Sequence, residues 1–114
     1  MRLSNSIFNL ISMFQKDFHE HYPYLKIEVD HMDFRNKEME KVEEVDHLNF
    51  RINTAKERTV SEVEKNCKEV FGFPAHIFRK SSNVWVATSY TAHWTLEEQN
   101  REGEQISKLF PGIS

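Results

Sequence analysis

The sequence contains few cysteine, glycine and proline residues, which cross-link a chain or form its tight turns. Its 114 residues include one cysteine, Cys67, with three glycines and three prolines. A single cysteine excludes an internal disulfide and is typical of a reducing compartment. No apolar run approaches the roughly 20 residues that span a bilayer. The start, MRLSNSIFNLISMF, is broken by polar residues and lacks a cleavage motif, so no signal peptide is predicted. We expect a cytoplasmic protein.

Motifs for chemistry are also missing. The sequence has no dinucleotide fingerprint, P-loop, zinc-protease helix, CxxC pair or nucleophile elbow. The ligand-type pairs His19 with His21 and His31 with Asp33 do not have the spacing of a zinc signature, so we predict no metal and no cofactor. Cys67 falls among valines at helical spacing, which favours a buried, unreactive thiol over a nucleophile.

What the sequence does contain is enough apolar material for one core. Hydrophobic residues make up 39%, including nine Phe, three Tyr and two Trp, and charged residues make up 29%. Both values are typical of a soluble globular chain, and the length predicts a single domain over residues 1–114. The net charge of −3 gives no long-range field that would attract nucleic acid.

Helical spacing of apolar residues predicts three helices, at about 5–20, 60–71 and 96–109. Ser4 or Asn5 is the candidate cap of the first helix, and the capping boxes Thr59–Glu62 and Thr95–Glu98 begin the other two. Gly72 suits a left-handed helix end. Gly103 is unfavourable inside a helix. Either it allows another element to approach closely, or the last helix frays there.

Alternating residues predict four strands. These strands lie at about 24–34, at 48–52 after a charged connection over 35–47, and in a hairpin over 75–80 and 84–90. The order is therefore α-β-β-α-β-β-α. Because the polar alternation leaves one side of the strands wet, we predict a two-layer α+β domain. It has a four-stranded, mainly antiparallel sheet with helices on one face.

The turn of the hairpin decides which side chains share a face. A three-residue loop closed by Asn83 and a two-residue Ser81-Ser82 turn both fit the sequence. In the two-residue register Phe78 and Trp85 share a face, whereas in the three-residue register Trp85 joins Ile77. We favour the two-residue register, because it offers the helices a mainly aliphatic face and places the two aromatic rings together on the open face.

That open face is the candidate functional surface. Phe78 and Trp85, with Arg79, Lys80 and Arg51 nearby, form a candidate interface, because exposed apolar patches mark interaction sites. We therefore predict that the protein binds a protein partner or a second copy of itself, and that it is not an enzyme. The competing interpretation is that the first or the last helix folds over the rings.

Two other function classes stay open. A small-molecule binder or enzyme would have a pocket between sheet and helices, with Arg79, Tyr90, His93 and Gln99 as its polar groups. A single-stranded nucleic-acid binder would stack bases on the aromatic rings beside the basic residues. The net negative charge and the acidic segment 38–46 argue against nucleic acid, and nothing in the sequence predicts membrane binding.

One stretch of the sequence resembles a group of small uncharacterised bacterial proteins. The resemblance covers about residues 59–103. It is carried by Thr59, Val60, Glu64, Phe71-Gly72, Phe78-Arg79-Lys80-Ser81, Asn83, Trp85, Thr88, Thr91, Trp94-Thr95-Leu96 and Gln99-Asn100. The group has Gly in place of Ser82, which weakens the tight-turn assignment, and Asp in place of Ala92, which removes a carboxylate beside Trp94. The resemblance implies a shared fold and no particular activity.

Overall fold

The computed structural model of the protein describes residues 2–30 and 52–110. Three α-helices, three strands and one short 3₁₀-helix follow each other along these residues. They are α1 (Arg2–His21), β1 (Leu25–Val29), α2 (Val60–Phe71), β2 (Ala75–Ser81), β3 (Val84–Ala87), the 3₁₀-helix (Ser89–Thr91) and α3 (Leu96–Leu109). The helix α1 begins before Ser4 and Asn5, so neither residue is its cap, and this prediction was wrong.

The strands form one antiparallel sheet in the order β1-β2-β3. Ile27 lies opposite Ile77 between β1 and β2, and Arg79 lies opposite Val86 between β2 and β3. The α+β class is confirmed, with three helices and a three-stranded sheet. Of the predicted strand at 48–52 only Ile52 is described, outside any strand, and its other residues lie outside the described part of the chain.

The hairpin has a two-residue turn, at Ser82-Asn83, because Ser81 pairs with Val84. The turn is one residue later than the preferred Ser81-Ser82, but the alternation of side chains is the same. Phe78 and Trp85 therefore share a face, as predicted. Ser82, not Asn83, has the left-handed backbone, with φ of 60°. A positive φ at the first turn position matches the right-handed twist of the strands.

The hairpin ends three residues earlier than the predicted limit at residue 90, because β3 stops at Ala87. Thr88 is buried, and its hydroxyl donates to the carbonyl of Ile77 at 2.7 Å. The Ile77 N–H donates instead to the Glu64 carboxylate on α2, at 2.8 Å. The bond from the Thr88 N–H to the Ile77 carbonyl is kept at 3.3 Å, but the Glu64 carboxylate takes the place of the Thr88 carbonyl as acceptor for the Ile77 N–H. The ladder therefore ends here, and the chain turns into the 3₁₀-helix.

The core lies between the sheet and the three helices. Its buried apolar residues come from α1, from the odd-numbered positions of β1 and β2, from α2, from the start of α3 and from two connecting positions, one directly after α1 and one between α2 and β2. They are Ile11, Phe18, Tyr22, Leu25, Ile27, Val29, Val60, Val63, Cys67, Val70, Phe71, Phe73, Ala75, Ile77 and Leu96. The five residues buried on α2 are the five that helical spacing predicted.

The starts of α2 and α3 are bonded to each other. Both predicted capping boxes are present, and the two caps, Thr59 and Thr95, form an antiparallel β-bridge. The first two N–H groups of each helix donate to carbonyls of the other segment. These bonds are Val60 to Trp94 (3.0 Å), Ser61 to Ala92 (2.9 Å), Leu96 to Arg58 (2.9 Å) and Glu97 to Lys56 (3.1 Å). Because these donors are already satisfied, neither helix start is an open anion site.

Gly103 allows α3 to lie directly on the sheet. A Cβ at this position would meet the Tyr24 Cβ at 2.9 Å and the Lys80 carbonyl oxygen at 3.2 Å. The close approach, and not fraying, therefore explains the glycine. Phe110 follows the helix and is 64% exposed.

Candidate functional site

The open face is the side of the sheet opposite the core. Its members alternate along the strands with residues of the core side, which are buried on β1 and in the first half of β2 and only partly buried or exposed on β3. They are Lys26 and Glu28 on β1, His76, Phe78 and Lys80 on β2, and Trp85 and Ala87 on β3. Phe78 and Trp85 are half-buried, so neither ring lies in the core and neither stands free in solvent.

The indole of Trp85 occupies the middle of the open face between two lysines. The Lys26 ammonium lies 5.1 Å from its ring centroid and the Lys80 ammonium 5.9 Å. Lys26 is also 5.6 Å from the centroid of the Phe78 ring. Ammonium groups at such distances are attracted to the faces of aromatic rings. The lysines and the rings thus form one connected surface.

The end of α1 reaches the rim of this surface. The ring of His19 lies 5.9 Å from that of Trp85, at an interplanar angle of 69°. The histidine is exposed, so it borders the indole without covering it. The predicted alternative, in which a helix folds over both rings, therefore applies only at this edge of Trp85.

The charge of the open face differs in sign from that of the whole chain. Lys26 forms an ion pair with Glu28 at 3.0 Å, whereas Lys80 contacts only the indole among the ion pairs and ring contacts of the described residues. Two lysines and one glutamate leave one excess positive charge, against −3 for the chain. The surface is therefore apolar and mildly cationic.

Arg79 lies on the opposite face, under α3. Its guanidinium donates to the Gln99 side-chain oxygen at 2.7 Å and lies 5.8 Å from the centroid of Trp94. Gln99 is fully buried and donates in turn to the carbonyl and the hydroxyl of Thr91. The structure thus separates Arg79 from Phe78 and Trp85, with which the sequence grouped it, and gives it a partner in the packing of α3.

The other predicted site residues are dispersed. Tyr90 is 96% exposed and His93 is also exposed, so of the candidate pocket only Arg79 and Gln99 meet. Lys80 lies on the open face as predicted, and Arg51 lies outside the described residues. The predicted interface is therefore represented by Phe78, Lys80 and Trp85.

Neither the cysteine nor the histidines form a reactive cluster in residues 2–30 and 52–110. Burial raises the pKa of the Cys67 thiol to about 12, with a smaller contribution from the Glu64 charge, so the thiol is unreactive at neutral pH. No group of three metal-ligating side chains occurs in these two ranges. His31 and Asp33 lie outside them.

Two contributions to the fold and site could not be found from the sequence. Gln99 has a polar side chain on a helix, and only its tertiary partners explain its burial. The contact of His19 with Trp85 joins residues 66 positions apart, which no local pattern signals. By contrast, the position of Lys26 on the open face of the sheet follows from the alternation of apolar and polar side chains along β1.

Comparisons with known proteins provide no relative for this chain. No protein-family model, no curated protein and no solved structure matches it. In the described part of the chain, none of the helices has the length and apolar character that crossing a membrane requires.

Proposed function

We propose that the protein is a binding module whose open face takes an acidic, aromatic- or leucine-bearing segment of another protein. The observation that supports this most directly is the position of the Trp85 indole, half-buried between the Lys26 and Lys80 ammonium groups. Tryptophan is among the residues that contribute most to the energy of protein interfaces. The excess positive charge of the surface favours an acidic partner.

Binding requires little rearrangement of this face. The rings are held on strands, so a partner would not have to order a loop, and preorganised groups lose less entropy on binding. Lys80 has no carboxylate partner among the described residues, so a carboxylate of the partner would not have to displace one. The apolar side chains of the partner would cover Phe78 and the exposed part of Trp85.

Binding of a single nucleic-acid strand is the second candidate function of the open face, because the same rings could stack bases and the same lysines could contact phosphates. It is the weaker candidate, because the described residues place only two lysines on the face and the chain carries −3. The test below separates the two by including an oligonucleotide.

The experiment is a selection from a displayed library of random 12-residue peptides on the wild-type protein, with titrations of the enriched peptides. We expect peptides rich in Asp or Glu with aromatic residues or leucine. Lys80→Glu should weaken their binding at least tenfold, and Trp85→Ala should weaken it further. Lys65→Glu, an exposed lysine on α2, is the matched control and should leave the affinity unchanged.

Two results would contradict the proposal. One is enriched peptides that bind Lys80→Glu and Trp85→Ala as tightly as the wild type. The other is a dT12 oligonucleotide that binds the wild type with a steep dependence on salt while no peptide binds. The second result would assign the face to nucleic acid.

A further inference from the structure

The two edge strands of the sheet differ in whether side chains hydrogen-bond to their outward backbone groups. The outer edge of β1 is bonded by side chains of α1. His19 Nδ1 donates to the Leu25 carbonyl at 2.8 Å, and the Val29 N–H donates to the Gln15 side-chain oxygen at 3.3 Å. Side chains that occupy edge groups prevent a further strand from pairing there.

Within residues 2–30 and 52–110, no side chain protects the outer edge of β3 in this way. Thr88 N donates to the Ile77 carbonyl, so in the antiparallel register Val86 and Val84 also point their backbone groups at β2. Trp85 and Ala87 therefore direct their N–H and C=O groups outward. No hydrogen bond to these outward groups occurs from residues 2–30 or 52–110.

The residues of β3 favour pairing with another strand. The strand reads Val-Trp-Val-Ala and contains no charge and no proline, two of the devices that normally block an exposed edge. Val84 is 55% exposed. An uncharged strand of β-branched and aromatic residues with free backbone groups is a ready template for strand addition.

We propose that β3 pairs antiparallel with β3 of a second copy of the chain, which joins the two sheets into one of six strands. The symmetric register places Val86 opposite the partner's Val86 and Trp85 opposite the partner's Ala87. In this register the outward N–H and C=O groups of Trp85 in one copy lie opposite those of Ala87 in the other copy, so the two strands can hydrogen-bond to each other. The largest side chain of each strand also lies beside the smallest of the other.

Charge does not oppose this pairing. The nearest open-face lysine, Lys80, lies on β2 of each copy, so three strand spacings, about 14 Å, separate the two lysines. This distance exceeds the Debye length of about 8 Å at physiological salt. Only three strand residues per copy, 85–87, pair in this register, so we expect a weak, concentration-dependent dimer. Its two open faces would be continuous, with both indoles on one side.

Disulfide trapping tests the register directly. In a Cys67→Ala background, Val86→Cys should form a cross-linked dimer under mild oxidation, because residues facing each other at a non-hydrogen-bonded position have Cα atoms about 4.5 Å apart. Val84→Cys is the matched control: its residue is more exposed, but it would face the partner's Thr88 and should cross-link at least tenfold more slowly. Equal rates for the two variants would overturn the proposal.

Sedimentation velocity between about 10 μM and 1 mM tests the unmodified protein, which we expect to shift from monomer to dimer. Ala87→Pro removes an outward N–H and leaves the bonds to β2 intact, so it should raise the dimer Kd at least tenfold, whereas Ala87→Ser should not. A monomeric wild type at 1 mM would overturn the dimer. If the Ala87→Pro variant still binds peptides at its open face, the proposed function is independent of the dimer.

Discussion

Ser82 has a backbone conformation that its side chain disfavours. Its φ of 60° lies in the left-handed region, where a Cβ costs about 1–2 kcal/mol relative to glycine. The side chain partly compensates, because its hydroxyl donates to the carbonyl of Phe110 after α3. The residue therefore combines a strained turn with a link between the hairpin and the last helix.

Substitutions at Ser82 should separate these two effects. Ser82→Ala loses the hydroxyl and keeps the strain, whereas Ser82→Gly loses both, so the glycine variant should be more stable than the alanine variant by about 1 kcal/mol. Urea denaturation measures the difference. Asn83→Gly is the control, and it should not be stabilising, because Asn83 does not have a positive φ. Equal stability of Ser82→Ala and Ser82→Gly would show that the turn is not strained.

Glu64 is a partly buried carboxylate whose main contact is the Ile77 N–H. Burial raises the pKa of this carboxyl, while that hydrogen bond and the nearby His76 lower it by less. The folded protein therefore holds the proton more tightly than the unfolded chain does. The resulting stabilisation is complete below the unfolded pKa of about 4.3 and is lost as the pH rises through the folded pKa.

Glu64→Gln should remove this dependence, because the amide oxygen still accepts from Ile77 and carries no charge. We expect the free energy of unfolding of the variant, relative to wild type, to increase between pH 4 and pH 7. Glu64→Leu lacks the acceptor and should be less stable than Glu64→Gln at both pH values. Urea titrations across this pH range give both comparisons. A difference that stays constant with pH would contradict the raised pKa.

At the scale of elements, α2 and α3 support each other's first turns. Each supplies carbonyls to the other's first N–H groups, and the caps Thr59 and Thr95 lie side by side. The two starts thus form one structural unit, although 36 residues separate them in sequence. Loss of one cap should loosen the bonds that the other start uses.

A double-mutant cycle of Thr59→Ala and Thr95→Ala tests this coupling. Each single change should cost about 1 kcal/mol through the lost cap. The double variant should lose at least about 0.5 kcal/mol less than the sum of the two, because the shared bonds can be broken only once. Thr59→Ala with Leu109→Ala, an exposed residue at the other end of α3, is the control pair and should be additive. Additivity of both pairs would contradict the coupling.

The parts of the fold that the sequence predicted are those with local causes. The capping boxes and the spacing of valines predicted α2 and its five buried residues, and strand alternation placed Phe78 and Trp85 together. The details that failed depend on distant groups. The buried Thr88 ends β3 by bonding to Ile77, and Gln99 is buried because Arg79 and Thr91 satisfy it.

At the scale of the whole molecule, the sheet is asymmetric. The described helices pack on the aliphatic side, and the open face keeps two half-buried rings and an excess of positive charge on a chain of net charge −3. The sequence predicted this asymmetry from the alternation of β1, β2 and β3. It could not supply the arrangement of lysines around the indole, which depends on the positions of three strands relative to each other.

The neighbouring residues Ile77 and Phe78 test this asymmetry, because they point to opposite sides of β2. Ile77 is 1% exposed, so Ile77→Ala should cost about 2–5 kcal/mol of unfolding free energy, as is typical of a cavity in a core. Phe78 is larger but only half-buried, so Phe78→Ala should cost about 1 kcal/mol or less. Urea denaturation of the two variants at one protein concentration measures both. If Phe78→Ala cost 3 kcal/mol or more, the ring would belong to a second core, and the open face would not be available to a partner.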